Sequence, residues 1–281
     1  MILRALADYY DRLVDDPAVG IPSYGFAEQK VHFCLVLDRL GNVVQVEDLR
    51  QAGEKKPRPR TLTTSFLAGR TSCIKSFFLC DNTGYVLGQD GKGKEQKALD
   101  KFQAFKELHH KLLDDSKDEN LRVVLRFLDV WEPERCPQLE HWDEMAGSNV
   151  VFRLDGERHY LHDYPEAIDR WQKYSWDNLP EKRGMCLLSG EENTIISPLH
   201  WPLKGVRDAQ TTGAFIVSFN ADAFGSYGKG TNSYNAPVSE ERAFAYVTAL
   251  NRLLAFGSRQ KIQLGDSTMV FWTGKPSPAE A

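Results

Sequence analysis

The sequence has no apolar run of 18 residues, so no segment reads as a membrane-spanning helix. Its opening residues, 1–6, lack the long apolar core of a signal peptide and run straight into an amphipathic pattern. The five cysteines, Cys34, Cys73, Cys80, Cys136 and Cys186, stand alone. No C-x-x-C pair exists, which argues against a zinc ribbon. Their odd number and the absence of a signal peptide favour a reduced, cytoplasmic setting. Positive charge is not in excess either. Lysine and arginine total 35 against 39 acids, a net charge of −4, so any nucleic-acid site must be a local patch on an otherwise acidic surface. There is no G-x-S-x-G, no phosphate-binding P-loop and no H-E-x-x-H, and the carboxylates form no paired motif.

What is present is an ordinary globular balance: 281 residues, 42% hydrophobic and 11% aromatic, enough for one large domain or two smaller ones. Helical spacing covers 1–15, through Leu3, Leu6, Tyr10 and Leu13, and again 95–113, through Ala98, Phe102, Phe105, Leu108 and Leu112. Helix is also expected over 164–174 and from Ser239, a capping residue followed by two acids, to about Phe256. Strands are expected at 31–37 with a hairpin partner at 42–46, and at 85–88, 123–130, 185–188, 214–219 and 268–272. A further hairpin about Asp155-Gly156 spans 150–161. Strands and hairpins interrupted by a few helices, without a βαβ rhythm, predict an α+β fold of mixed and antiparallel sheets. Residues 1–273 read as one large domain, 120–180 as a candidate hairpin subdomain and 274–281 as a linker-like tail.

The histidines carry little. His109 and His110 are neighbours on the helix 95–113, about 100° apart, so they cannot share a ligand and read as a solvated pair. His159 and His162, near Asp163, face opposite sides of a strand and read as a polar hairpin face. Three segments carry more. In 53–60, Lys55, Lys56, Arg58 and Arg60 give a proline-stiffened cationic loop with no acid among them, suited to tracking phosphates or simply to solvation. In 220–237, glycines 225, 228 and 230 permit close backbone approach and leave the loop mobile without a ligand. Asn220, Ser226, Asn232 and Asn235 offer donors and acceptors, Lys229 a cation, and Tyr227 a ring that can stack or wedge. The alternative is a long strand-to-helix connection whose glycines and asparagines only make turns. In 203–213, Lys204, Arg207 and Gln210 are spaced by three and would share one side of a helical turn.

Residues 218–224, 226–229, 235–240, 245–246 and 249–251 (SFNADAF, SYGK, NAPVSE, AY, ALN) resemble the large subunit of the type I-C CRISPR surveillance complex, Cascade. So do Met1-Ile2-Leu3, Arg70-Thr71-Ser72, Asp81-Asn82 with 85–88, the 151–162 hairpin and Lys204-Gly205-Val206-Arg207. The likeness covers essentially the whole chain and corresponds to the family's N-terminal portion. The C-terminal helical bundle of the family has no counterpart in it. The chain departs from the pattern at 230–234. The resemblance implies a non-catalytic subunit, without cofactor or metal, in the prokaryotic cytoplasm. It implies a complex with CRISPR RNA and with the backbone and guide-processing subunits of Cascade, and no membrane partner. Its implied task is to recognise the short PAM in double-stranded target DNA, help open the duplex and recruit a helicase–nuclease for antiviral defence. Arg70, Ser72 and Asn82 join the candidate DNA-binding residues on this basis. Two other readings compete. A nuclease would need a metal-binding carboxylate cluster or paired general base. A pure scaffold would show exposed apolar patches and no basic groove. The DNA-binding reading expects 55–60, 204–210 and 225–235 to converge.

Overall fold

A computed structural model describes the chain except residues 1, 17, 18, 54–56, 68–73, 92, 94, 211, 212, 220, 222, 226–232, 276 and 278–281. The fold is α+β, and the chain separates into two compact units, Gly25–Asp177 and the combination of Met1–Tyr24 with Asn178–Ala281.

The Gly25–Asp177 unit is built on a four-stranded sheet. β1 (Phe26–Val31) and β4 (Arg60–Ser65) form a separate antiparallel ladder, while β2 (Phe33–Leu37), β3 (Val43–Asp48), β5 (Cys80–Asn82) and β6 (Asn149–Leu154) pair in the order β3-β2-β6-β5. β2 and β6 are parallel, with Leu35 opposite Phe152 and Cys34 opposite Val151; the other pairings are antiparallel. Alternation along the strands then gives the sheet two different faces. Leu35 and Phe152 lie on one, covered by α3 (Glu95–Leu113) and α4 (Glu119–Val130), whose Phe105 and Phe127 rings stand 6.3 and 5.8 Å from Phe152. Cys34 and Val151 lie on the other and pack with Val31, Leu49 and Cys80, closed by Leu62 of β4 and Tyr160. β2 is buried along its whole length, as a central strand covered on both faces should be. The turn before β3 needs Gly41: its φ is +90°, and a Cβ there would lie 2.5 Å from the Phe127 backbone nitrogen of α4.

Several expected strands fold otherwise. Residues 123–130 belong to α4, capped by the Asp118 carboxylate accepting from the Asn120 N–H at 2.9 Å. Their β-branched content suggested a strand, but Leu121, Val124, Leu125 and Leu128 recur at helical spacing and are all buried. Tyr85 and Val86 lie in a short helix, α2 (Thr83–Val86), because the Asn82 side chain caps it. His109 is not solvated: it is fully buried, accepts a hydrogen bond from the Leu79 N–H at 3.0 Å through Nε2 and donates to the Phe105 carbonyl at 2.7 Å. That bond holds Leu79, a non-glycine residue at φ +58°. His162 is likewise buried, in a 3-10 turn with its ring stacked on Tyr160, rather than on an open hairpin face. The unit closes with the short α5 (Trp142–Met145) and with α6 (Pro165–Asp177).

The other unit packs α1 (Ile2–Val14) against α7 (Glu240–Leu254), which Ser239 caps as its sequence requires. Tyr10, Tyr24 and Trp201 surround Phe244 edge-on at 4.9–5.6 Å. Glu240 sits at the end of this cluster, accepting from the Tyr24 hydroxyl at 3.2 Å and the Trp201 indole N–H at 3.1 Å. Two small hairpins complete it: β7 (Arg183–Gly184) with β8 (Thr194–Ile195), and β9 (Lys261–Leu264) with β10 (Ser267–Val270). The strand expected at 185–188 does not form; β7 ends just before it, at Gly184. Cys186 instead opens a turn, its N–H bonded to the Glu191 carbonyl. The strand expected at 214–219 is a single bridge, Ala214 to Leu203, followed by bends.

Candidate nucleic-acid interface

The basic loop lies in the Gly25–Asp177 unit. Lys55 and Lys56 fall outside the described residues. Arg58 pairs through its backbone with Gln51 in both directions at 2.8 Å, which closes the loop at its base and leaves the Arg58 side chain exposed. Arg60 opens β4 opposite Val31, at the edge of the sheet face lined by Cys34 and Val151. Tyr160 reaches the same edge from the segment after β6, bridged to Arg153. The Arg60 guanidinium donates to the Tyr160 hydroxyl at 3.3 Å and lies 6.0 Å from its ring centroid. Arg153 sits beside them on the same face, paired with Glu47 at 2.7 Å. Burial raises the Tyr160 phenol pKa and the Arg60 charge works against it, so the hydroxyl remains a neutral hydrogen-bonding group. The result is a half-buried ring with one exposed arginine over it and a second two residues away. Such a group can stack on a base or pin a phosphate.

Arg70 and Ser72 fall outside the described residues. Asn82 is engaged in the fold: its Oδ1 accepts from the Gly84 N–H at 3.1 Å as the cap of α2, and its amide nitrogen contacts Asp81.

In the second unit, Asn220, Ser226, Tyr227, Lys229 and Asn232 fall outside the described residues, but the ends of their loop do not. On the near side, Phe224 donates its N–H to the Ala221 carbonyl at 3.0 Å and stacks edge-on against Phe219. On the far side a 3-10 turn, Ser233–Asn235, is tied to the segment 197–204. Ser233 donates its N–H to the Pro198 carbonyl, and Val238 accepts from Ser197. The same segment continues to Leu203, bridged to Ala214, and Lys204, whose N–H donates to Asn251 of α7 at 2.8 Å. One extended segment therefore holds both the far base of the glycine loop and Lys204. Arg207 departs from the expected grouping: it donates to the Gly265 carbonyl at 3.1 Å, at the β9–β10 turn, and leans on Asp208. Residues 204–210 form turns rather than a helix, and Gln210 is exposed. Gly205 is required there, at φ +80°, because a Cβ would meet the Leu254 carbonyl oxygen at 2.7 Å. Asn235 is half-buried.

Two features escaped the sequence reading. Tyr234 carries the Lys182 ammonium 3.9 Å above its ring centroid, a cation–aromatic pair at the far base of the loop. Cys186 accepts from the Ser239 N–H at 3.3 Å at the start of α7. Burial pushes its thiol up, but hydrogen bonds from Ser189 and Ser239 outweigh that and bring it down to about 7. Neither could have been found by spacing, since each joins residues about 50 apart.

Among the described residues no three histidine, cysteine or acidic side chains gather as metal ligands, and no helix is long and apolar enough to cross a membrane. No curated protein matches the chain. A family model described as CRISPR-associated protein (Cas_Csd1) matches residues 6–281. The chain therefore belongs to the Cas_Csd1 family of CRISPR-associated proteins and is a large subunit of type I-C Cascade.

Proposed function

We propose that this Cascade subunit is its DNA-sensing module: it binds double-stranded target DNA, checks the PAM, helps part the first base pairs and offers a surface to the helicase–nuclease that degrades the target. The observation that carries the reading is the Arg60–Tyr160 pair, an exposed cation over an aromatic ring, with the exposed Arg58 two residues away, on a protein whose net charge is −4. A local patch of this kind supplies sequence-independent affinity for the duplex backbone. The glycine loop, whose far base is anchored at Ser233–Asn235, supplies the base-reading step through Lys229 with Asn232 or Asn235, and Tyr227 as a wedge. Guide pairing reads the rest of the target, so the protein needs only backbone contacts, a few base edges and something to hold the opened strand. The module acts without catalysis of its own, in the prokaryotic cytoplasm, and cutting belongs to the recruited enzyme.

The test is binding of the assembled complex to a duplex library with a randomised segment beside a fixed guide match. The reading expects enrichment of one short motif on the PAM side. It expects that enrichment to vanish when this subunit is omitted. Enrichment that persists without the subunit would assign PAM recognition elsewhere.

A further inference from the structure

The β9–β10 hairpin presents an apolar face to solvent. Antiparallel pairing sets Ile262 opposite Met269 and Leu264 opposite Ser267, and the Phe271 N–H bond to the Gln260 carbonyl extends the ladder by one rung. Side chains two apart on a strand share a face. Ile262, Leu264, Met269 and Phe271 therefore form one row, and they are 47%, 55%, 51% and 43% exposed. The opposite face is the one that holds the hairpin to its unit. Lys261 donates to the Leu254 and Ala255 carbonyls at the end of α7, and Trp272 stacks on Tyr9 of α1 at 6.2 Å. The hairpin is thus fixed in place with its greasier side outward. Leaving four large apolar side chains half in water on a strand pair is a standing cost and an aggregation hazard unless something covers them.

We infer that this face docks an amphipathic helix of another protein subunit of the Cascade complex, one carrying acidic residues beside its apolar stripe. Three observations choose that occupant. The first is size. Half of four large side chains is roughly 350 Å², taking about 180 Å² for each, against the roughly 800 Å² per partner of a free-standing complex. The patch is too small to hold a second copy of this chain by itself, and suits one element docked within a larger assembly. The second is spacing. Residues i and i+2 on a strand stand about 6.7 Å apart and residues i and i+4 on a helix about 6 Å, so one helical ridge can seat along the row Ile262–Leu264 and Phe271–Met269. The third is charge. Arg207 binds the hairpin's turn carbonyl, Arg259 precedes β9, and Lys275 follows β10, all three exposed. Against them stands Asp266 in the turn itself, with Asp208 beside Arg207. A basic rim around an apolar centre complements acids flanking an apolar stripe. Phosphate would find the rim, but Ile262, Leu264 and Met269 offer a base no ring to stack on, so the mostly aliphatic centre favours a protein helix over a guide RNA or target DNA.

The experiment uses Cascade assembled around its guide RNA without this subunit and titrated with the full-length chain. Ile262→Glu/Met269→Glu should weaken incorporation at least tenfold. Ile262→Lys/Met269→Lys should weaken it several-fold less, because the added charge then suits an acidic partner. Gln263→Glu, on the opposite face, should leave it unchanged. Thermal melting of each isolated variant checks that the hairpin still folds, and Ile262→Ser replaces any variant that does not. A photo-crosslinking residue in place of Leu264 should mark an acid-bearing helix of another subunit. Unaltered incorporation by the glutamate variants would overturn the inference, as would crosslinks to RNA or to a second copy of this chain. None of these readouts depends on DNA, so the outcome is independent of the PAM-sensing proposal.

Discussion

Replacing Arg58 and Arg60 by alanine together gives a measurable change in DNA binding and almost none in stability. Both side chains are exposed, and the Arg60 attachments are a 3.3 Å hydrogen bond and a 6.0 Å approach to the Tyr160 ring. Exposed cation–aromatic contacts contribute about 0.5–1 kcal/mol, so the melting temperature should fall by no more than about 3 °C. Binding behaves differently. Each phosphate contact contributes about 0.9 to the slope of log K against log salt, so losing two lowers the slope by about 1.8 and makes the variant weaker by about 60-fold near 0.1 M salt but only about 3- to 4-fold near 0.5 M. The assay is fluorescence anisotropy of the assembled complex on a labelled duplex across that salt range. PAM-containing and PAM-free duplexes should lose affinity alike, because backbone contacts carry no sequence information. An unchanged slope would mean that these arginines are only solvated and that the backbone-binding patch lies elsewhere.

The remaining predictions concern the fold that positions these residues. His110 of α3 is held between Asp114 at 2.8 Å and Asp129 of α4 at 3.0 Å; burial opposes its charged form, but the two carboxylates outweigh it and raise its pKa. The stabilisation is therefore complete below the ordinary histidine range and lost as pH rises through the raised value. His110→Gln should be less stable than the parent at about pH 5.5, with the gap closing by about pH 8.5, in urea melts. Burial pushes the His109 imidazole down to about 3, outweighing its bond to the Phe105 carbonyl, so it contributes stability above the ordinary range that is lost as pH falls toward that value. His109→Phe should cost about 1–3 kcal/mol at neutral pH, because the buried Leu79 N–H loses its acceptor, and should flatten the acid side of the stability profile. Glu240→Ala removes the oxygen that accepts from both the Tyr24 hydroxyl and the Trp201 indole and should cost about 2–5 kcal/mol by chemical denaturation, while Glu240→Gln, which keeps an acceptor oxygen there, should recover most of that loss.

How much of this was legible beforehand follows from where the information lies. The helix over 95–113 and the cap at Ser239 were readable because period and capping are local. The β2–β3 hairpin was readable for the same reason. Residues 123–130 misled because β-branched side chains and burial around most of α4 hide a period of 3.6, although Asp118 was present as its cap. Spacing puts His109 and His110 about 100° apart on the helix, but adjacency cannot say which of the two faces the core. The Arg60–Tyr160 pair spans 100 residues and exists only because β6 lies parallel to β2, a pairing no local pattern announces. Arg207 belonged by spacing with Lys204 and Gln210. The turns at 205–208, with Gly205 and Asp208 at positive φ, send it to the β9–β10 hairpin instead.

The central claim is that the glycine loop reads the PAM while the Arg58–Arg60 edge holds the backbone. It is tested most directly by comparing two dissociation constants for the assembled complex carrying Lys229→Ala. The account predicts that binding to PAM-containing duplex weakens by about 1–3 kcal/mol more than binding to PAM-free duplex, the discrimination expected of a base-reading side chain. Equal weakening on both duplexes would reduce Lys229 to a phosphate contact, and no change on either would remove the loop from recognition altogether.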